Sequence, residues 1–180
     1  RDVWFVVALP VYLSAALAWD HWQVGSFLAL WVIGYGIVQS LAPLLTGKRQ
    51  GRLPDGQTAF AWGLPLIAIP ALIALAITLD WQANTVLVAG LMLFGMLFAI
   101  NSSLHSYLIV SYAREDGVSL DVGFFYMANA MGRLLGTVLS GWLFQISGLA
   151  ACLWVSALLI AAATITSLRL PKHIPRPKEA

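Results

Sequence analysis

From Gln57 to Leu79 and again from Gly148 to Leu168 the chain carries no charged side chain. A run of that length and apolarity can cross hydrocarbon only if every backbone N–H and C=O is satisfied within the segment, which means a helix. Six segments, 3–19, 25–45, 57–79, 85–112, 121–145 and 148–170, can be marked in this way. At 1.5 Å per residue each approaches or exceeds a hydrocarbon layer about 30 Å thick. The first is the shortest, and its helix is expected to begin upstream of Arg1. With 60% apolar and 10% charged residues, the composition lies outside the range of soluble domains. The expected fold is an all-α membrane protein: a six-helix bundle over residues 1–170, followed by a solvated, proline-rich tail at 171–180.

The charges sort by connector. Asp20–Val24, Asp80–Asn84 and Ile146–Ser147 contain no Lys or Arg, and Trp19, Trp22, Trp81 and Trp142 cluster near these ends as interfacial anchors. The opposite side carries Arg1, then Lys48, Arg49 and Arg52, then Arg114, then Arg169, Lys172, Arg176 and Lys178. The positive-inside rule therefore puts both termini of this segment in the cytoplasm. The segments also differ in polarity. The third and sixth are almost uniformly apolar and are expected to face lipid, whereas the first, second, fourth and fifth hold nearly all the interrupted or polar positions.

One cation belongs to neither side. Arg133 lies about 18 Å along the helix from Asp121, near the middle of the hydrocarbon, where an Arg costs at least about 2.5–3.5 kcal/mol and is by default a functional-site residue. Tyr126, Asn129, Arg133, Thr137 and Ser140 share a face, while Gly132, Gly136 and Ser140 repeat every four residues and allow a neighbouring helix to approach closely. Counting depth along the fourth segment sets Asn101 level with Arg133 and His105 level with Asn129. In the second, Trp31, Tyr35 and Gln39 share a face. These residues compose an anion site in one reading: the guanidinium fork takes an oxyanion, and Asn101, Asn129, His105, Tyr126, Tyr35 and Gln39 line the path. In the other they form a structural network that only holds helices together. Every acid, Asp2 included, falls in a connector or near a helix end, so no carboxylate is expected at the depth of Arg133. Asp2 either pairs with Arg1 or, with it, serves coupling or gating.

Other chemistry is not indicated. His21, His105 and His173 lie in three different regions, and neither metal-ligand spacing nor a nucleophile–base arrangement appears. Cys152 reads as a packing thiol. Gly47–Arg52 lacks the preceding strand and the Lys-Ser or Lys-Thr pair of a phosphate-binding loop. No enzyme, cofactor or nucleic-acid partner is expected; the expected partners are the bilayer and a small anion. A non-transporting membrane scaffold with an architectural Arg133 stays open.

The layout of six segments with a basic connector, Gly47, Lys48, Arg49, Gly51 and Arg52, resembles the C-terminal half of a major facilitator superfamily transporter, although the connector lacks the acidic residue of that superfamily's loop signature. More specifically, RDVWFVVALPVYL (Arg1–Leu13), LALWVIGYGIVQSLAP (Leu28–Pro43), AINSSLHSYLIVSYA (Ala99–Ala113) and DGVSLDVGFFYMANAMGRLLGTVLSGWLFQISGLAACLW (Asp116–Trp154) resemble the organoarsenical efflux permeases of bacterial arsenic-resistance operons. That resemblance implies an N-terminal six-helix bundle as partner, a bacterial inner-membrane location and export of 1-arseno-3-phosphoglycerate. It also implies a functional link to glyceraldehyde-3-phosphate dehydrogenase, which makes this compound from arsenate. Efflux of another organic anion or drug is the alternative within the same fold.

Overall fold

The structure, a computed structural model, describes residues 2–45 and 54–170. Arg1, the basic connector with Lys48, Arg49 and Arg52, and the 171–180 tail lie outside the described residues. Among the described residues every regular element is helical: α1 (Asp2–Phe5), α2 (Ala8–Leu17), α3 (His21–Leu45), α4 (Gly56–Thr78), α5 (Ala83–Tyr112), a 3-10 turn (Glu115–Gly117) and α6 (Val118–Ser167). Of these, α3, α4, α5 and α6 are long and apolar enough to cross a bilayer.

The first apolar segment is broken where proline chemistry requires it. Pro10 has no N–H, and its ring crowds the carbonyl four residues back, that of Val6. The helix is interrupted at Val6–Val7, separating the four-residue α1 from α2. The Ala8 N–H, which an unbroken helix would send to the Trp4 carbonyl, donates instead to Ser140 Oγ at 3.0 Å, a buried bond to α6. The start of α3 is capped reciprocally: Gln23 N–H donates to Asp20 Oδ1 at 2.7 Å and Asp20 N–H to Gln23 Oε1 at 3.0 Å. Asp55 caps α4 in the same manner, accepting from Thr58 N–H at 2.9 Å.

The segments expected at 121–145 and 148–170 form one helical stretch, α6, of 50 residues. Drawn straight it would run about 75 Å, more than twice the hydrocarbon thickness. It does not run straight, because Gly148 sits at φ 72°, ψ −171° and divides it into two arms. Cys152 Sγ comes within 3.8 Å of the Ser140 carbonyl, although twelve helical residues would separate them by about 18 Å. The second arm therefore folds back along the first.

Small residues set how the helices approach. At Gly63 and Gly56 of α4, a Cβ would collide with Thr164 and with the Ser167 carbonyl of the second α6 arm, and Ser167 Oγ donates to the Gly56 carbonyl at 3.4 Å. The two segments expected to face lipid thus bury one face each against the other and keep Leu64, Leu72, Leu158 and Ile165 exposed on the outside. At Gly95 of α5 the missing side chain is replaced by the Trp31 indole, whose Nε1–H donates to the Leu91 carbonyl at 2.9 Å. The main core joins α1, α2, α4, α5 and the second α6 arm around Trp4, Leu9, Leu66, Leu91, Phe94 and Leu153.

Candidate functional site

α6 packs chiefly on α4 and α1 and touches α5 only sparsely, and Gly136 of its first arm lies against α1. Gly136 makes this approach possible, since a Cβ there would lie 2.9 Å from Asp2 Cβ and 3.5 Å from the Asp2 carbonyl carbon. One turn before Gly136, Arg133 projects beside the same acid: its Nε stands 3.9 Å from Asp2 Oδ2, with the Arg side chain 65% exposed and the Asp side chain 12% exposed. The sequence expectation that no carboxylate reaches this depth is overturned. That expectation placed Asp2 at the membrane edge, but α1 lies alongside Gly136, so the chain is already at mid-span where the described residues begin.

At 3.9 Å the contact is Coulombic, because hydrogen-bonded N⁺–H···O⁻ pairs close to about 2.7–2.9 Å. The guanidinium fork is not consumed by it. Together Asp2 and Arg133 open into a cavity of about 420 Å³ that also has Asn129, Gly132, Phe98 and Leu159 on its wall. The lining is largely apolar around one cation, one carboxylate and one amide, so a charged hydrogen bond made there would suffer less competition from water.

The other sequence-nominated residues divide among different places. Gly136 and Ser140 are buried in helix contacts, as their spacing requires, whereas Gly132 is exposed with nothing within 4 Å of a Cβ position and lines the cavity instead. Thr137 Oγ1 donates at 2.9 Å to the Arg133 carbonyl on its own helix. Tyr126 is exposed and sits edge-on to Phe125 with ring centroids 5.6 Å apart. Gln39 is half-buried on α3. His105 is not on the Arg133 cavity. It lines a separate one of about 320 Å³ with Tyr112, Asp121 and Phe125, and its Nδ1 lies 2.9 Å from the Asn101 carbonyl. A carbonyl only accepts, so Nδ1 carries the proton. The Asn101 Oδ1 is buried with no hydrogen-bond partner among the described residues. The two rungs matched by depth, Asn101 with Arg133 and His105 with Asn129, are thus not joined by a hydrogen bond among the described residues. Equal depth does not make two helices neighbours.

Sequence reasoning gave no role to the wall beneath the cation. Trp4, Phe5, Trp31, Tyr35, Phe98 and Phe94 form a closed cycle of ring contacts, with successive centroids 5.9, 4.4, 5.7, 5.8, 5.6 and 5.4 Å apart. It joins α1, α3 and α5, and Phe98 extends it into the Arg133 cavity. Tyr35, nominated as path-lining, is a member of this cycle and borders a small third cavity of about 90 Å³ on α3 and α5. The available signal was the four-residue spacing of Phe94 and Phe98 around Gly95, which clears one side of α5 for Trp31.

At the basic connector after α5, Asp121 Oδ1 and Oδ2 take both arms of the Arg114 guanidinium at 2.7 and 3.1 Å, and Arg114 N–H adds a third bond at 3.0 Å. The hydrogen bonds to Asp121 raise the Arg114 pKa further. This cluster fixes the turn into α6 and leaves Arg133 as the cation of the cavity. Among the described residues no three His, Cys, Asp or Glu side chains come together as a metal site would require.

Apolar helices of spanning length are the structural hallmark of a multi-pass membrane protein. The chain matches the family model described as Major Facilitator Superfamily over residues 2–180, and it belongs to that superfamily of membrane transporters. No curated protein and no solved structure matches it.

Proposed function

We propose that this chain is the C-terminal six-helix half of a bacterial inner-membrane exporter that expels an anionic organoarsenical, 1-arseno-3-phosphoglycerate, and so confers arsenate resistance. In this reading α1 and α2 together make the first pass, the two arms of α6 make the last two, and both ends lie in the cytoplasm. A second six-helix bundle rocks against this one to expose the cavity alternately to each side. The dehydrogenase that builds the arsenylated acid supplies the cargo. The observation that carries the proposal is the Arg133 guanidinium, 65% exposed beside a cavity of about 420 Å³, with its hydrogen-bonding fork left open. The assignment of the arsenical rests on the sequence resemblance.

The test is arsenate resistance and arsenic efflux in cells carrying the full-length protein with Arg133→Ala or Arg133→Lys. Lys keeps the charge but loses the planar fork, so both variants should reach the membrane and lose most export. Normal export by both removes Arg133 from the site. Loss of folded protein in both points instead to an architectural cation in a scaffold.

A further inference from the structure

We infer that Asp2 is a built-in counter-anion: it holds Arg133 while the cavity is empty and must yield it to the oxyanion of the cargo, with Gly136 as the residue that positions it. The inference rests on the anion-export reading and assigns a specific task to two residues of the same site.

Four observations converge on it. The pair is close enough to attract and too far apart for a hydrogen bond, with Asp2 Oδ2 3.9 Å from Arg133 Nε. An incoming oxyanion can make two charge-assisted bonds to the guanidinium fork at shorter range than the 3.9 Å contact with Asp2, so the exchange favours a ligand of that shape. Second, acid and base border the same cavity, so a ligand seated against Arg133 also meets Asp2. Third, the separation depends on a residue without a side chain, since a Cβ on Gly136 would stand 2.9 Å from Asp2 Cβ and drive α1 away. Fourth, a helix break parts α1 from α2. Val6–Val7 interrupt the helix, and the first N–H of α2 is anchored on Ser140 rather than on Trp4. Asp2 can therefore move with α1 while α2 stays fixed to α6.

The consequence is a transporter whose empty form is not left with an uncompensated cation in hydrocarbon, and whose loaded form releases α1. An intramolecular ligand of this kind weakens apparent affinity and speeds release, because the acid returns as the cargo leaves.

Everted membrane vesicles containing the full-length protein provide the test. Glyceraldehyde-3-phosphate, NAD, the dehydrogenase and graded arsenate generate the cargo, and initial arsenic uptake is recorded. Asp2→Asn should lower the half-saturating concentration about fivefold or more and reduce the maximal rate, as expected when a coupled competitor is removed. Asp2→Glu, which keeps the carboxylate, should stay near the parent protein. Gly136→Ala should reproduce the Asp2→Asn shift, and the double variant should add nothing to either single one. An unchanged or raised half-saturation in Asp2→Asn overturns the inference, and a well-folded Gly136→Ala with the parent value overturns the positioning role.

The pair is also tested without cargo, by thermal unfolding of the purified full-length protein in detergent. Losses from Asp2→Asn and Arg133→Met should be clearly less than additive, and strictly additive losses overturn the pair even if Gly136→Ala fails to fold. If the parent vesicles take up no arsenic but the unfolding losses couple, the arsenical reading fails and the counter-anion stands. If uptake is normal and Asp2→Asn does not shift it, only the counter-anion fails.

Discussion

The Ala8 backbone N–H donates to Ser140 Oγ at 3.0 Å, both groups buried, so that a side chain of α6 stands in for the carbonyl that the break at Val6–Val7 takes away. Ser140→Ala removes the acceptor and leaves a buried donor unpaired. The expected loss is about 1–3 kcal/mol, read as a lower unfolding temperature of the full-length protein in detergent. A variant that melts with the parent would mean that another group or a water satisfies Ala8.

At Gly148 the backbone occupies φ 72°, ψ −171°, a region essentially closed to residues with a side chain. Nothing lies within 4 Å of its Cβ position, so Gly148→Ala meets no steric obstacle and isolates the conformational cost. That cost is about 1–3 kcal/mol. Thermal unfolding measures it directly, and an unaffected protein would argue against the reversal of α6 at this residue.

The seam between α4 and the second α6 arm predicts a contrast between two glycines. Gly63→Ala drives a methyl group into the short, branched Thr164 and should cost about 1–3 kcal/mol. Gly25→Ala faces open space on α3 and should be neutral or stabilise by up to about 1 kcal/mol through helix propensity. Membrane protein level and unfolding temperature of the two variants, compared side by side, decide the matter.

In the cavity, Asn129→Asp would set a second carboxylate near Arg133 and should abolish most export, by roughly a hundredfold, since like-charge juxtaposition costs several kcal/mol. His105→Ala acts on a different cavity and should be the milder change. Vesicle uptake rates distinguish them, and equal losses would mean that the two cavities serve one path.

Asp55 offers a pH test outside the spans. The Thr58 N–H bonded to its carboxylate holds its pKa below the usual value despite opposing desolvation. A depressed folded-state pKa stabilises the protein above the unfolded pKa of about 4, and that contribution is lost as pH falls through the folded value. Asp55→Ala should cost about 1 kcal/mol at neutral pH. Asp55→Asn keeps an acceptor without a charge and should flatten the acid side of the stability profile. An unchanged acid profile in Asp55→Asn would remove the charge from the account.

The long helices and their ends were legible because local chemistry determines them. The short connector before Gly148 and the runs free of charge are properties of neighbouring residues. Gly136 and Ser140 were legible as contact residues from their spacing alone. Adjacency was not: depth along a helix gives height but neither rotation nor neighbour, so His105 was set level with Asn129, whereas it shares a cavity with Asp121 and Phe125 nearer the start of α6. For the same reason Asp2 was read as a residue of the membrane edge, since nothing local reveals that its helix stands at mid-span against Gly136.

The closed aromatic cycle also constrains motion. Trp4 and Phe5 of α1 are each wedged against a ring from another helix, Phe94 of α5 and Trp31 of α3. Any displacement of the short segment must slide those faces past one another, so that an event at a single carboxylate is felt at once by three helices as a change in stacking. Two of the eight indoles sit within that cycle, so their fluorescence is placed to respond to the position of Asp2–Phe5.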